Sequence, residues 1–268
     1  MATSQTTRAT RAVSQDSLLI RKCQSLEEMR ACVALQKDVW KFADIELVPL
    51  RMFVVGEKIG GQVIGAFDRG ELVGFAFAIP GSRHGHAFLH SQMLAVRQAY
   101  RNCGLGRRLK LFQREDALAR GFELMEWTFD PLEIKNAYLN VEKLGAIALR
   151  YHINLYGLTS SVLQGSLPSD RLVAEWWLKS KRVETLLATG VKPSFHTLAA
   201  ISVPAEIYDW RAKPETRSQA QAVQDRNRET FLKAFAEGLA VLGYERDADG
   251  NGRFLLGRWE EERAYAGS

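Results

Sequence analysis

The stretch from Leu89 to Val96, followed by a turn of small residues and then Leu105, Leu109 and Phe112 at helical spacing, constrains this chain more than any other. A strand ends, the chain turns through 97–104, and a helix opens at Gly104 or soon after. That order aims several free backbone N–H groups and the positive end of a helix dipole at one spot. Such a spot binds phosphate. Gly104 and Gly106 admit a close backbone approach because no Cβ stands in the way, and Arg101, Arg107 and Arg108 add positive charge.

The flanking sequence predicts how this segment is framed. Residues 17–21 read as a strand, and Ser25 with Glu28 three residues later forms a capping box that opens a helix to about residue 40. A short helix over 50–59 stops at Gly60-Gly61. Strands over 62–67 and 71–80 are joined by the hairpin signal Asp68-Arg69-Gly70, and a strand over 87–96 follows. After the central helix, closed by Gly121, come a strand over 123–129, a helix over 132–144 closed by Gly145, and a strand over 146–155. The remainder reads as a strand over 170–179 carrying Trp176 and Trp177, one expected in the core and one at an acceptor pocket. A strand over 197–203 follows, then a long helix over 215–242 with Phe231, Phe235, Leu239 and Leu242 on one stripe and Gly243 as its stop, and a last strand over 253–259. Residues 1–16, rich in Ser, Thr and Arg, read as a mobile tail. The expected division is tail, core over 17–184, and an extension over 185–268 packed on the core.

The run Arg101-Asn102-Cys103-Gly104-Leu105-Gly106 resembles the [Gln/Arg]-x-x-Gly-x-[Gly/Ala] motif of the GNAT superfamily of acyl-CoA-dependent N-acyltransferases. Six positions alone are a weak signal, but the element order over 17–155 follows the superfamily as well. The resemblance implies an α+β GNAT fold, a mixed and mostly antiparallel sheet flanked by helices, here with a C-terminal β-α-β extension. It further implies that Leu94, Ala95 and Val96 meet the pantetheine arm of acyl-CoA, with acetyl-CoA the leading donor. Arg101, Asn102, Cys103, Gly104, Leu105, Gly106 and Arg107 would meet its pyrophosphate. The stretch from Asn136 to Gly145 resembles the superfamily's helix after the fifth strand, with two departures: Ile134 stands where an Asn is expected and Val141 where a Tyr is expected. The resemblance therefore leaves pantetheine contact to Asn136, and protonation of the leaving thiolate to Tyr138, to Tyr151 or to no residue.

Amide formation from a thioester requires a neutral amine, so a base is sought on the strand before the turn. His90 and Gln92, two apart, would share one face there, and histidine is the side chain best suited to proton exchange near neutral pH. Asp130 and Glu133 fall at a strand–helix junction near the expected thioester, Asp130 reading as a cap or turn residue. His84, His86 and His90 lack a carboxylate or cysteine at metal-ligand spacing, so no metal site is expected. The net charge of +5 is modest and partly gathered in the turn, where a phosphate-bearing small molecule accounts for it; no nucleic-acid signature is present. Three unpatterned cysteines and the lack of a long apolar run point to a cytoplasmic protein with no membrane span. The expected activity is transfer of an acyl group, acetyl or larger such as succinyl, to the amine of a small metabolite such as an amino acid. A protein-lysine acetyltransferase and a non-enzymatic CoA-binding regulator remain as alternatives, and a homodimer is compatible with all three.

Overall fold

The computed structural model describes residues 18–158 and 165–260. The tail expected over 1–16 lies outside the described residues. Ser25 caps the first helix as expected: its side chain accepts from the Glu28 amide, while Glu28 accepts from the Gln24 amide at 2.7 Å and pairs with Arg21. In chain order the first half comprises β1 (Leu18–Lys22), α1 (Leu26–Trp40), α2 (Leu50–Lys58), β2 (Gln62–Asp68), β3 (Glu71–Arg83), β4 (His86–Val96), α3 (Leu105–Ala119) and β5 (Leu124–Phe129). The two-residue turns Arg69-Gly70 and His84-Gly85, all at positive φ, match the twist of the strands they join. Next come α4 (Ile134–Ala137), which widens into a π-helix over Tyr138–Lys143, then β6 (Ile147–His152) and β7 (Arg171–Trp177). The C-terminal part holds α5 (Lys181–Thr189), β8 (Ala199–Val203), α6 (Ile207–Ala212), α7 (Arg217–Ala236), β9 (Leu239–Arg246) and β10 (Gly252–Arg258).

The ten described strands form one sheet in the order β1-β2-β3-β4-β5-β7-β6-β9-β10-β8. Only β4 and β5 run parallel; the other neighbours are antiparallel. This is the mixed, mostly antiparallel α+β sheet flanked by helices that the resemblance implies. On one face α1 and α2 bury Met29, Phe53, Phe75, Phe77 and Met93, and on the other α3 buries Ile64, Ala76, Leu105 and Leu109. A larger cluster joins β5 and β7 to the C-terminal part through Trp127, Trp176, Phe231, Tyr244 and Phe254.

The C-terminal part departs from the expected β-α-β pattern. It is β8-α6-α7-β9-β10, and α5 over Lys181–Thr189 straddles the expected boundary at 184/185. The expected long helix ends at Ala236, and Gly238 at φ 78 turns the chain into β9. Leu239 and Leu242 are therefore strand residues. The run Leu239-Ala240-Val241-Leu242 fits a buried strand and a buried helix equally in its apolar pattern, and the left-handed glycine before it decides. Gly243 lies within β9, where Phe195 and Leu255 stand 2.9 and 3.2 Å from where a Cβ would be; it marks close packing, not a helix stop. Trp176 is fully buried and donates its Nε1–H to the Leu144 carbonyl at 2.7 Å. Trp177 packs with Leu124, Ile147, Ala240 and Leu242, so neither tryptophan reaches an acceptor pocket.

Candidate active site

β4 and β5 pair only at Leu89–Met125 and His90–Glu126. Beyond that point they part. A bulge lies at the parting: Phe77 pairs with Met93 and Ile79 with His90, so Ser91 and Gln92 together oppose Ala78. A cavity of about 480 Å³ fills the opening, bounded by β4 from Ser91 to Leu94, by β5 from Trp127 to Phe129, and by Asn136, Leu139 and Asn140. Because β4 has no β5 partner after His90, its amides that point away from β3 are open to an extended ligand, as at a sheet edge.

The turn into α3 follows the C-terminal end of β4. Gly104 adopts φ 79 and no side chain caps the helix, whose first bond runs from the Arg108 amide to the Gly104 carbonyl. The amides of Leu105, Gly106 and Arg107 therefore have no acceptor within the helix. Arg101 donates through Nε to the Val96 carbonyl at 3.0 Å, and Arg107 donates through Nε to the Lys143 carbonyl at 3.3 Å, tying the turn to the π-helix. A Cβ built on Gly106 would lie 3.7 Å from Leu94 and 3.9 Å from Leu139, so this glycine borders the passage between β4 and the π-helix.

The expected acyl-CoA residues divide by position. Leu94 and Asn136 line the cavity. Arg101, Asn102, Cys103, Gly104, Gly106 and Arg107 make up the turn, with Asn102 also left-handed at φ 62. The Leu105 side chain is buried, leaving its amide to the turn; Val96 packs beneath α3, and Ala95 packs on the α1/α2 face.

The expected catalytic side chains lie elsewhere. The bulge breaks the two-residue alternation, so His90 shares its face with Met93 and not with Gln92. His90 is not among the cavity-lining residues; its Nδ1 lies 3.9 Å from Glu126. Burial pushes the Glu126 carboxyl up, but the neighbouring His90, the hydrogen bond from Arg83 and the charge of Arg150 outweigh it and hold the carboxyl at about 2. Tyr138 is flanked by Lys143 and Arg246, whose cationic groups lie 5.1 and 5.8 Å from its ring centre. Tyr151 donates to Asp170 at 2.6 Å and stacks on Phe231, and burial with that bond pushes its phenol up. Neither tyrosine lines the cavity.

The cavity instead holds carboxylates. Asp130 accepts from the Leu132 amide at 2.8 Å, the turn role expected, and its other oxygen accepts from Arg211 at 2.9 Å. Arg211 also donates to Glu133 at 3.0 Å. Burial, then the Asp130 charge, pushes Glu133 up to about 6 despite Arg211. Arg211 belongs to α6, and nothing in the local sequence around residue 211 connects it with residues 130–133. Asn140 was also missed. A π-turn holds more residues than an α-turn, and this one presents Leu139 and Asn140 to the cavity while Val141 sinks into the core.

The model of the acetyltransferase (GNAT) family matches residues 26–140. No curated protein matches the chain. Among solved structures it is similar to a GNAT family acetyltransferase from Elizabethkingia anophelis with acetyl-CoA bound, at 14% identity and TM-score 0.45, covering 61% of this chain and 99% of that one. It is also similar to an aminoglycoside 6'-acetyltransferase type Ii, at 18% identity and TM-score 0.48, covering 61% and 99%. A chain of the NatC complex bound to Gag peptide and CoA matches at 13% identity and TM-score 0.47, covering 59% and 97%.

Proposed function

We propose, from the match of residues 26–140 to the acetyltransferase (GNAT) family model, that the chain transfers an acyl group from acyl-CoA to the amine of a small metabolite. The reading rests on the uncapped α3 turn, whose Gly106 stands beside Leu94 and Leu139, two residues that line the cavity where β4 and β5 part. The turn fits a pyrophosphate: unsatisfied amides, a helix N-terminus, and no side chain at Gly104 or Gly106. The open edge of β4 fits a pantetheine amide arm. At about 480 Å³ the cavity has the size of a small-molecule site, and the C-terminal part contributes Arg211 to its wall.

Glu133 is the proposed base. A carboxyl near 6 is ionised at neutral pH yet basic enough to accept a proton from an amine being acylated. Asp130 and Glu46, also in the wall, add negative charge that attracts an ammonium substrate. Once the ammonium has lost one proton to solvent, the neutral amine nitrogen attacks the thioester carbon, the proton shed on attack passes to the Glu133 carboxylate, and open β4 amides stabilise the oxyanion. The C–S bond then breaks and the CoA thiolate leaves. A thiol's ordinary pKa of about 8.5 lets water protonate it, so neither Tyr138 nor Tyr151 is needed.

A screen of acyl-CoA donors against small amines, followed by free-thiol release, tests the proposal. Turnover with small amines and none with lysine peptides is expected. Turnover confined to peptides would transfer the reading to a protein acetyltransferase, and CoA binding without turnover on any amine would make the chain a CoA-binding regulator.

A further inference from the structure

Lys110 lies on α3 at the inner end of the cavity and is 2% exposed. Its Nζ donates to the Ser91 hydroxyl at 2.7 Å, and Ser91 in turn donates to Gln113 at 3.0 Å. The same nitrogen lies 3.6 Å from the centre of the Trp127 ring. Among the described residues no carboxylate forms an ion pair with it. Lysine is rarely buried this completely without an anionic partner, because an ammonium removed from water must be paired or neutralised. Nothing in the proposed transfer uses it. A leucine or methionine there would fill the space under Trp127 without that cost.

The geometry supplies a use. A linear ligand that enters past Leu94 and runs back along β4 passes Met93 and Gln92 and meets Ser91 and Lys110. There it must stop, because β4 and β5 join at the next residues, His90 and Glu126. We propose that Lys110 and Ser91 receive the far end of the acyl group, and that the donor is the CoA monothioester of a short dicarboxylic acid, its free carboxylate pairing with the Lys110 ammonium. The Ser91 hydroxyl donates a second hydrogen bond to that carboxylate, turning from Gln113. This inference rests on the acyl-CoA reading above and names the class of donor.

Burial draws the Lys110 amine well below its ordinary range when the cavity holds no anion. An incoming carboxylate favours the charged form, so its binding shifts the amine toward proton uptake. That uptake separates a carboxylate at Lys110 from one bound elsewhere on the surface.

Titration calorimetry with CoA, butyryl-CoA, succinyl-CoA and glutaryl-CoA tests the inference without knowledge of the acceptor. In the wild type, a dicarboxylic donor is expected to bind about 10-fold or more tightly than butyryl-CoA, the scale of a charge-assisted bond. Repeating the titration at neutral pH in buffers of different ionisation enthalpy should show proton uptake for that donor alone. Lys110→Met should abolish both the preference and the uptake while retaining CoA affinity, and Ser91→Ala should weaken the preference. CoA binding with butyryl-CoA equal to or better than both dicarboxylic donors overturns this inference and leaves the acyl-CoA reading standing. Covalent transfer of the acyl group to Lys110, read as a mass gain, also overturns it. Failure of CoA itself to bind the wild type overturns the acyl-CoA reading and this inference together.

Discussion

Arg211 on α6 donates to Asp130 at the end of β5 across 2.9 Å, with both side chains nearly buried. The bond joins residues 81 positions apart. It makes the C-terminal part a component of the cavity wall, because the same guanidinium holds Glu133. Removing one partner of a buried pair leaves an uncompensated charge, which costs about 3–5 kcal/mol. Arg211→Leu should lower the melting temperature and raise the Glu133 pKa further, moving the acid limb of the activity profile to higher pH. Wild-type stability would show that the pair is not buried as described.

Glu133 sets the pH dependence of activity if it is the base. With its carboxyl near 6, activity should fall as pH drops through that value, since the protonated acid cannot accept a proton. Glu133→Gln should lower kcat by about 10²- to 10⁴-fold and remove that limb. An unaltered profile in a folded variant would remove Glu133 from the mechanism.

His90 and Tyr138, outside the cavity, should matter much less. His90→Ala and Tyr138→Phe are each expected to change kcat by less than about 10-fold, below the lower end of general acid–base effects. A loss of 100-fold or more in either, with the fold intact, would return that residue to the site.

The outcome for His90 shows what could be read from the sequence and what could not. The strand, turn and helix around Gly104 were legible because glycine, apolar spacing and helix polarity act locally. Ser25, Gly60 and the Asp68-Arg69-Gly70 turn were legible for the same reason. The bulge at Ser91 and Gln92 was not, since it is a mismatch of register against β3 that no residue of β4 announces; it alone moves His90 off the face of Gln92. The π-turn at Asn140 is similarly silent. Arg211 was out of reach because its partners come from another part of the chain, and nothing in the sequence sets Lys110 apart from the basic residues Arg107 and Arg108 beside it.

Glu126 should govern acid stability. Its carboxyl, held near 2 in the folded protein, keeps its charge at pH values where the unfolded chain, near the ordinary 4.3, takes up a proton. Its contribution is therefore complete above about pH 4.3 and is lost as pH falls toward 2. Glu126→Gln should flatten the stability–pH curve in that window, in chemical denaturation followed by circular dichroism. An unchanged slope would mean that Arg83, His90 and Arg150 do not hold the charge.

The C-terminal part should not be removable. It supplies Phe231, Tyr244 and Phe254 to the main cluster, and β9 covers the edge of β6. Truncation after residue 184 would cut α5 and expose that edge, and insoluble or molten protein is expected. A monomeric truncated protein with a cooperative melt would contradict this.

Binding of the CoA pyrophosphate by the α3 turn is open to a direct test with Gly106→Asp. A Cβ there meets only ordinary contacts at 3.7 and 3.9 Å, and a carboxylate in the first turn of a helix is favoured by the dipole. The fold should therefore keep or slightly raise its melting temperature, while the new charge faces the phosphates. Calorimetric titration with CoA should show affinity reduced by at least about 10-fold; a stable Gly106→Asp protein that binds CoA as tightly as the wild type would contradict the account.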